Sequence, residues 1–211
     1  MKRLFLSAAL ATSALLAVAL TASAEPRTFV LDRSHTEVGF DIRHFFTRVH
    51  GRFTDFSGSI AFDPKDLTAS SVQVTIRDSS IFTANEKRDG HLRTSDFFWA
   101  DKYPTITFAS TKVVPGKDPS HFQVAGDLTM RGVANPVTLD VEFIGMGPVA
   151  IGGNSMGLQA GFQATATIDR KDWGIVWNKA LDQGGMMLAD EVKLILDVAA
   201  FSRDPAPAGA K

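Results

Sequence analysis

Apolar and polar residues alternate along most of the chain beyond its N-terminal segment, the period-two pattern of strands that turn one face to a core and the other to water. In Val38-Gly39-Phe40-Asp41-Ile42-Arg43-His44 the apolar side chains take the even positions, with Asp41 and Arg43 opposite. The same alternation recurs at 72–76, 122–130, 137–143, 162–168 and 192–201. Adding 51–62 and 105–114 brings the expected strands to about eight. Between 130 and 137, Gly132 and Pro136 suit a hairpin connection, and links that short make neighbouring strands antiparallel. About eight such strands in one chain predict an all-β barrel or sandwich.

Two stretches break the rhythm. Residues 83–101 are irregular and charged; Ser95 and Asp96 are expected to cap a short helix carrying Phe97, Phe98 and Trp99 before Pro104 stops it. This stretch reads as a long crossover or lid. Residues 145–157 are rich in glycine and read as a flexible loop.

The N-terminus has a different character. Lys2 and Arg3 precede an apolar run from Leu4 to Leu20, and Ala22-Ser23-Ala24 gives the small-x-small pattern of a cleavage site, so 1–24 read as a secretory signal peptide removed before Glu25. Loss of those two basic residues takes the formal charge from −1 to −3. Such a chain has no basic field for nucleic acid and no polybasic segment for anionic lipid. It has no cysteine, so burial and hydrogen bonding must supply its stability. Residues 25–203 suffice for one buried core with no dividing linker, and the Pro/Ala-rich stretch 204–211 is expected to be disordered.

Phenylalanine occurs 16 times and tyrosine once, so the large rings carry no polar handle. Any single ring is accounted for by core filling. As a set, with Phe40, Phe46, Phe53, Phe97, Phe98 and Phe108 among them, they exceed what one compact core needs. An eight-stranded closed barrel is just wide enough to be filled by side chains or to hold one ligand, which makes an apolar cavity the functional hypothesis.

Signals for chemistry are weaker. Gly153-Asn154-Ser155-Met156-Gly157 matches a nucleophile elbow, but no histidine follows it and no strand-to-helix turn is expected there. The five histidines show no metal-ligand spacing, and His35 and His44 have opposite strand parity. Because strands can bend, a three-dimensional cluster of His35 and His44 with His91 and Asp89 stays open, although no metal is predicted. The charge run Arg88-Asp89-Gly90-His91-Leu92-Arg93 is either a solvated loop or a polar collar at a cavity mouth, where Arg and His would meet a head group.

The residues resemble a known family. Leu31 to His44, with its Asp-Arg-Ser-His35 start, is similar to the opening strand of the YceI family of bacterial periplasmic proteins. Arg88-Asp89-Gly90-His91-Leu92-Arg93-Thr94-Ser95-Asp96-Phe97-Phe98 resembles the family's most characteristic run, followed by Tyr103 to Thr111. Gly126 to Gly132, Ile168 to Gly174 and Asp190 to Val192 extend the match over nearly the whole chain.

The resemblance implies an eight-stranded antiparallel lipocalin-like barrel with a short helical crossover. It also implies an apolar tunnel for a polyisoprenoid or similar lipid, no catalysis, and a bound lipid in place of a cofactor. His35, His44, Arg88, Asp89, His91, Phe97, Phe98, Phe108, Arg131 and Arg170 fall on family motifs. With Phe40, Phe46, Phe53 and Trp173 they form the expected ligand-binding set. Trp173 replaces the usual phenylalanine and is expected to shorten or reshape one end of the tunnel; Thr36 replaces a common serine.

A buried charged pair serves geometry alone in many proteins, so motif membership and ligand contact are separate matters. The expected function is a periplasmic lipid carrier. The alternative is a redox accessory protein or enzyme partner that presents a quinone-like isoprenoid to a membrane redox protein, and a ligand-free structural module is a third reading. Pairing as a homodimer stays open.

Overall fold

The computed structural model describes residues 25–182 and 184–203; the predicted signal peptide at 1–24 and tail at 204–211 lie outside the described residues. The chain forms strands β1 (Arg27–Leu31), β2 (Glu37–His44), β3 (Thr47–Phe53), β4 (Phe56–Phe62), β5 (Ser71–Arg77) and β6 (Ile81–Phe82). Helix α1 (Glu86–Leu92) follows, then β7 (Thr105–Pro115), β8 (His121–Met130), β9 (Val133–Ile151), β10 (Asn154–Asp169) and β11 (Leu188–Ser202). All pairings are antiparallel and the sheet closes on itself.

The eleven strands make an eight-stranded barrel because three of its members are interrupted. β1 and β2 lie end to end along β11, through Leu31↔Ala200 and Val38↔Leu196. β3 and β4 pair with them in turn, and β5 and β6 complete the third interrupted member. The predicted strand at 51–62 is therefore two. Phe53 and Phe56 are both buried although their parities differ, and the break at Thr54-Asp55 turns both inward.

The breaks are stitched together by polar groups. Thr36 Oγ1 donates to the Ala199 carbonyl at 2.9 Å and accepts from the Ala199 amide at 3.0 Å, replacing ladder bonds where the chain turns from β1 to β2. Thr54 N–H donates to Ser80 and Arg77 N–H to Asp55. Asp55 also pairs with Arg33 and Arg77.

Alternation holds where it is strongest. In β8 Phe122, Val124, Leu128 and Met130 point inward, and in β10 the inward set is Leu158, Ala160, Phe162, Ala164, Ala166 and Ile168. Gly51 and Gly126 are small because rings cross them: a Cβ would lie 2.3 Å from the Phe40 ring at Gly51 and 2.5 Å from Phe108 at Gly126.

Two expectations are corrected. Residues 145–157 are not a loop: β9 and β10 run on as a ribbon whose turn is at Gly152-Gly153, both at positive φ. The elbow-like motif thus occupies a hairpin. The helix begins earlier than expected, at Glu86, because Asn85 Oδ1 caps it by accepting from the Arg88 amide at 3.0 Å. Phe97, Phe98 and Trp99 instead occupy turns hydrogen-bonded to Thr94 and Leu92, and Trp99 at φ 55° cannot continue a right-handed helix.

Candidate functional site: an apolar cavity with one polar rim

The barrel encloses a cavity of about 810 Å³, within the roughly 300–1,000 Å³ of typical ligand pockets. Its far end is closed by rings. Phe62 packs on Phe143 at 4.9 Å, on Phe162 at 5.0 Å and on Phe122 at 6.3 Å between centroids. The wall above this floor is almost wholly aliphatic and aromatic, drawn from β4, β5, β7, β8, β9, β10 and β11, with Phe108 across its middle. Nearer the mouth Phe40 is tilted against Phe53, which meets Phe98 edge-on.

Polar groups gather at the mouth. Helix α1 supplies Asn85, Lys87, Arg88 and His91, β2 supplies His44, and Arg170 reaches the wall from the turn after β10. His91 Nε2 lies 2.8 Å from Asp96, and its ring meets Phe97 and Trp177 edge-on at 5.0 and 4.9 Å. Arg88 is committed to Thr83: Nε donates to Oγ1 at 2.7 Å and Nη2 to the carbonyl at 2.6 Å. Lys87 is exposed and makes no ion pair among the described residues.

Arg170 is a buried fastener. It donates to the carbonyls of Ile175, Trp177 and Ala189 and pairs with Asp190 at 3.1 Å. These bonds hold Ile175 and Trp177 to the start of β11, so that residues 175–182 and 184–187 form a strap along the mouth. Burial pulls its pKa down, with Asp190 and Asp169 opposing that shift. Asp190 is held below the usual carboxylate range, first by Lys171 at 2.6 Å.

Of the fourteen expected site residues, Phe40, His44, Phe53, Arg88, His91, Phe97, Phe98, Phe108 and Arg170 line the cavity. The other five are not brought to its wall. His35 pairs with Asp32 at 2.7 Å in the turn between β1 and β2. Phe46 is wholly exposed at the β2–β3 turn. Asp89 is buried against the Thr83 amide and hydroxyl, fixing the start of α1. Arg131 donates to the carbonyls of Ser95 and Phe97 and so holds the aromatic turns. Trp173 is buried with its indole N–H on the Leu128 carbonyl at 3.0 Å, and it packs beside the cavity without lining it.

Trp177 and Lys87 line the mouth and escaped the sequence reading. Trp177 lies in an irregular stretch with no periodicity, where its being a lone large ring was the only signal. Among the described residues no three histidine or acidic side chains gather as a metal site; His35, His91 Nε2 and Asp89 are engaged by Asp32, Asp96 and Thr83.

A closed antiparallel barrel with an apolar interior, a ring-sealed floor and polar groups at one mouth is a lipocalin-like binding barrel. The model of the YceI-like domain matches residues 29–200, and the chain belongs to that family. A UPF0312 protein of Staphylococcus aureus (strain MSSA476) is 38% identical over 166 residues, covering 78% of this chain and 92% of that protein. The YCEI protein of Campylobacter jejuni has a crystal structure that is 32% identical with a TM-score of 0.64, covering 82% of this chain and 97% of the other. A polyisoprenoid binding domain from Saccharophagus degradans, implicated in plant cell wall breakdown, shares the fold at 15% identity and TM-score 0.54, covering 82% and 98%.

Proposed function

We propose that this protein is a periplasmic carrier that holds a polyisoprenoid or similar long apolar lipid in its barrel. The carrying observation is the cavity itself: apolar from the Phe62 floor to the rim but for Thr36 and Ser70, with cationic and imidazole groups confined to the mouth. Each buried methylene contributes about 0.8 kcal/mol, so a long tail outweighs any head-group contact. The polyisoprenoid-binding character of the Saccharophagus degradans domain supports that ligand class, and the signal-like residues 1–24 support export.

Uptake of a fluorescent polyprenyl probe tests this. The protein should take up one probe per barrel, and Ala164→Phe, which adds a ring to the cavity wall, should cut uptake about tenfold or more. A folded wild-type barrel that leaves the probe in solution contradicts the reading.

A further inference from the structure

The β2–β3 connection is a two-residue turn, His44↔Thr47 being the last pair before it. Two-residue hairpin turns need positive φ at their first central residue, where Gly is favoured. Here the two residues are Phe45, at φ 53°, and Phe46, whose relative exposure is 101%. One step along the hairpin, Arg43 stands directly opposite Arg48. Ile42 and Val49 line the cavity, so the two arginines share the outer face. Like charges directly across a ladder oppose folding. Neither arginine makes an ion pair among the described residues; Arg43 donates only to the Phe45 carbonyl, at 3.1 Å, and nearby Asp41 is committed to His50.

Three choices that work against local stability therefore coincide: a bulky residue in left-handed backbone, an uncovered ring and an uncompensated cation pair. They lie against the open rim. His44 and Lys87 line the cavity mouth, and the Phe45 amide donates to Met187 at 2.9 Å, bringing the turn to the strap beside exposed Met186.

We propose that the Phe45-Phe46 turn is a wedge that docks the barrel mouth on a bilayer containing anionic lipid. The rings bury at the boundary between head groups and acyl chains, and Arg43, Arg48 and Lys87 meet lipid phosphates. The sequence has no polybasic segment; the fold sets Arg43 opposite Arg48 beside His44, which lines the same cavity as Lys87 of α1. Docking there lets a lipid tail pass between bilayer and cavity without crossing water. That purpose rests on the carrier function; the docking chemistry does not.

The test is vesicle flotation of the chain from Glu25 onward, since residues 25–203 close the barrel and the apolar run at 4–20 would bind vesicles by itself. Vesicles of phosphatidylcholine alone are compared with phosphatidylcholine containing phosphatidylglycerol. Wild type should float with the anionic vesicles, and less so as salt rises. The double variant Phe45→Gly/Phe46→Asn, which puts glycine at the positive-φ position, should keep or raise Tm and take up the polyprenyl probe normally, yet bind vesicles about tenfold or more weakly. Arg43→Gln/Arg48→Gln should abolish the preference for anionic vesicles. Wild type that floats with neither vesicle, or a turn variant that floats as well as wild type, overturns the proposal. Normal flotation without probe uptake would instead overturn the carrier function and leave docking standing.

Discussion

Arg170 holds Trp177 through the backbone: its Nη1 donates to the Trp177 carbonyl at 2.9 Å, while the Trp177 ring faces His91 edge-on at the cavity mouth. A buried cation thereby positions an aromatic wall residue without itself having to bind ligand. The same guanidinium satisfies two further carbonyls and one carboxylate.

Arg170→Gln should accordingly destabilise the fold by about 1–3 kcal/mol for each buried carbonyl that loses its donor, while Asp190, partly exposed and still paired with Lys171, adds little. Urea unfolding measures the loss. Below the unfolding transition, Trp177 fluorescence should shift to the red and the probe should dissociate faster. Wild-type stability in this variant would show that the strap is held by other means.

The ring floor sets how much tail the cavity accepts. Phe62→Ala removes the ring against which Phe122, Phe143 and Phe162 pack, at a cost of about 3–5 kcal/mol in the empty protein. A series of polyprenyl probes should show the preferred tail lengthening in this variant. An unchanged preference would mean that the floor does not limit the ligand.

Lys87 and Arg88 are neighbours with different work. Arg88 ties α1 to Thr83, so Arg88→Ala should lower stability by about 1–3 kcal/mol through its lost charged hydrogen bonds. Lys87→Ala should leave Tm within about a degree and weaken only probes with an anionic head group. Equal effects of the two substitutions on Tm would refute this division.

Asp78 gives the fold a pH dependence. It is fully buried in the turn between β5 and β6, and neither carboxylate oxygen has a hydrogen-bond partner among the described residues. Burial pushes its pKa from 3.8 up to about 7. Between those values the folded chain keeps a proton that the unfolded chain has released, so stability falls as pH rises from about 4 to about 7. The contribution is complete below about 4 and lost above about 7. Asp78→Asn should remove that slope and raise stability at about pH 8 by an amount of the order of a few kcal/mol. Urea midpoints at several pH values read it directly.

The barrel was legible in the sequence because period-two alternation survives wherever a strand has one wet face, as in β8 and β10. The interruptions were not. A break such as Thr54-Asp55 leaves apolar residues on both sides, and β1 carries only Phe29 and Leu31 as its inward signal. The ribbon of β9 and β10 escaped because glycine and exposed apolar residues blur alternation where neither β8 nor β11 runs alongside.

At the site, the motif residues mark what the fold must fix as much as what faces the cavity. Asp89, Arg131 and His35 are spent on turns. Their partners lie in the turns and crossover around them, where strand parity predicts nothing. Phe46 shows the converse: a ring read as lining the tunnel belongs to the outside because it occupies a turn.

Native mass spectrometry of protein isolated from its host decides whether the barrel carries a lipid. A fraction should carry one noncovalent ligand of polyisoprenoid mass, released on unfolding and diminished in Ala164→Phe. A folded barrel of bare chain mass that also remains empty after incubation with the polyprenyl probe would contradict the carrier function.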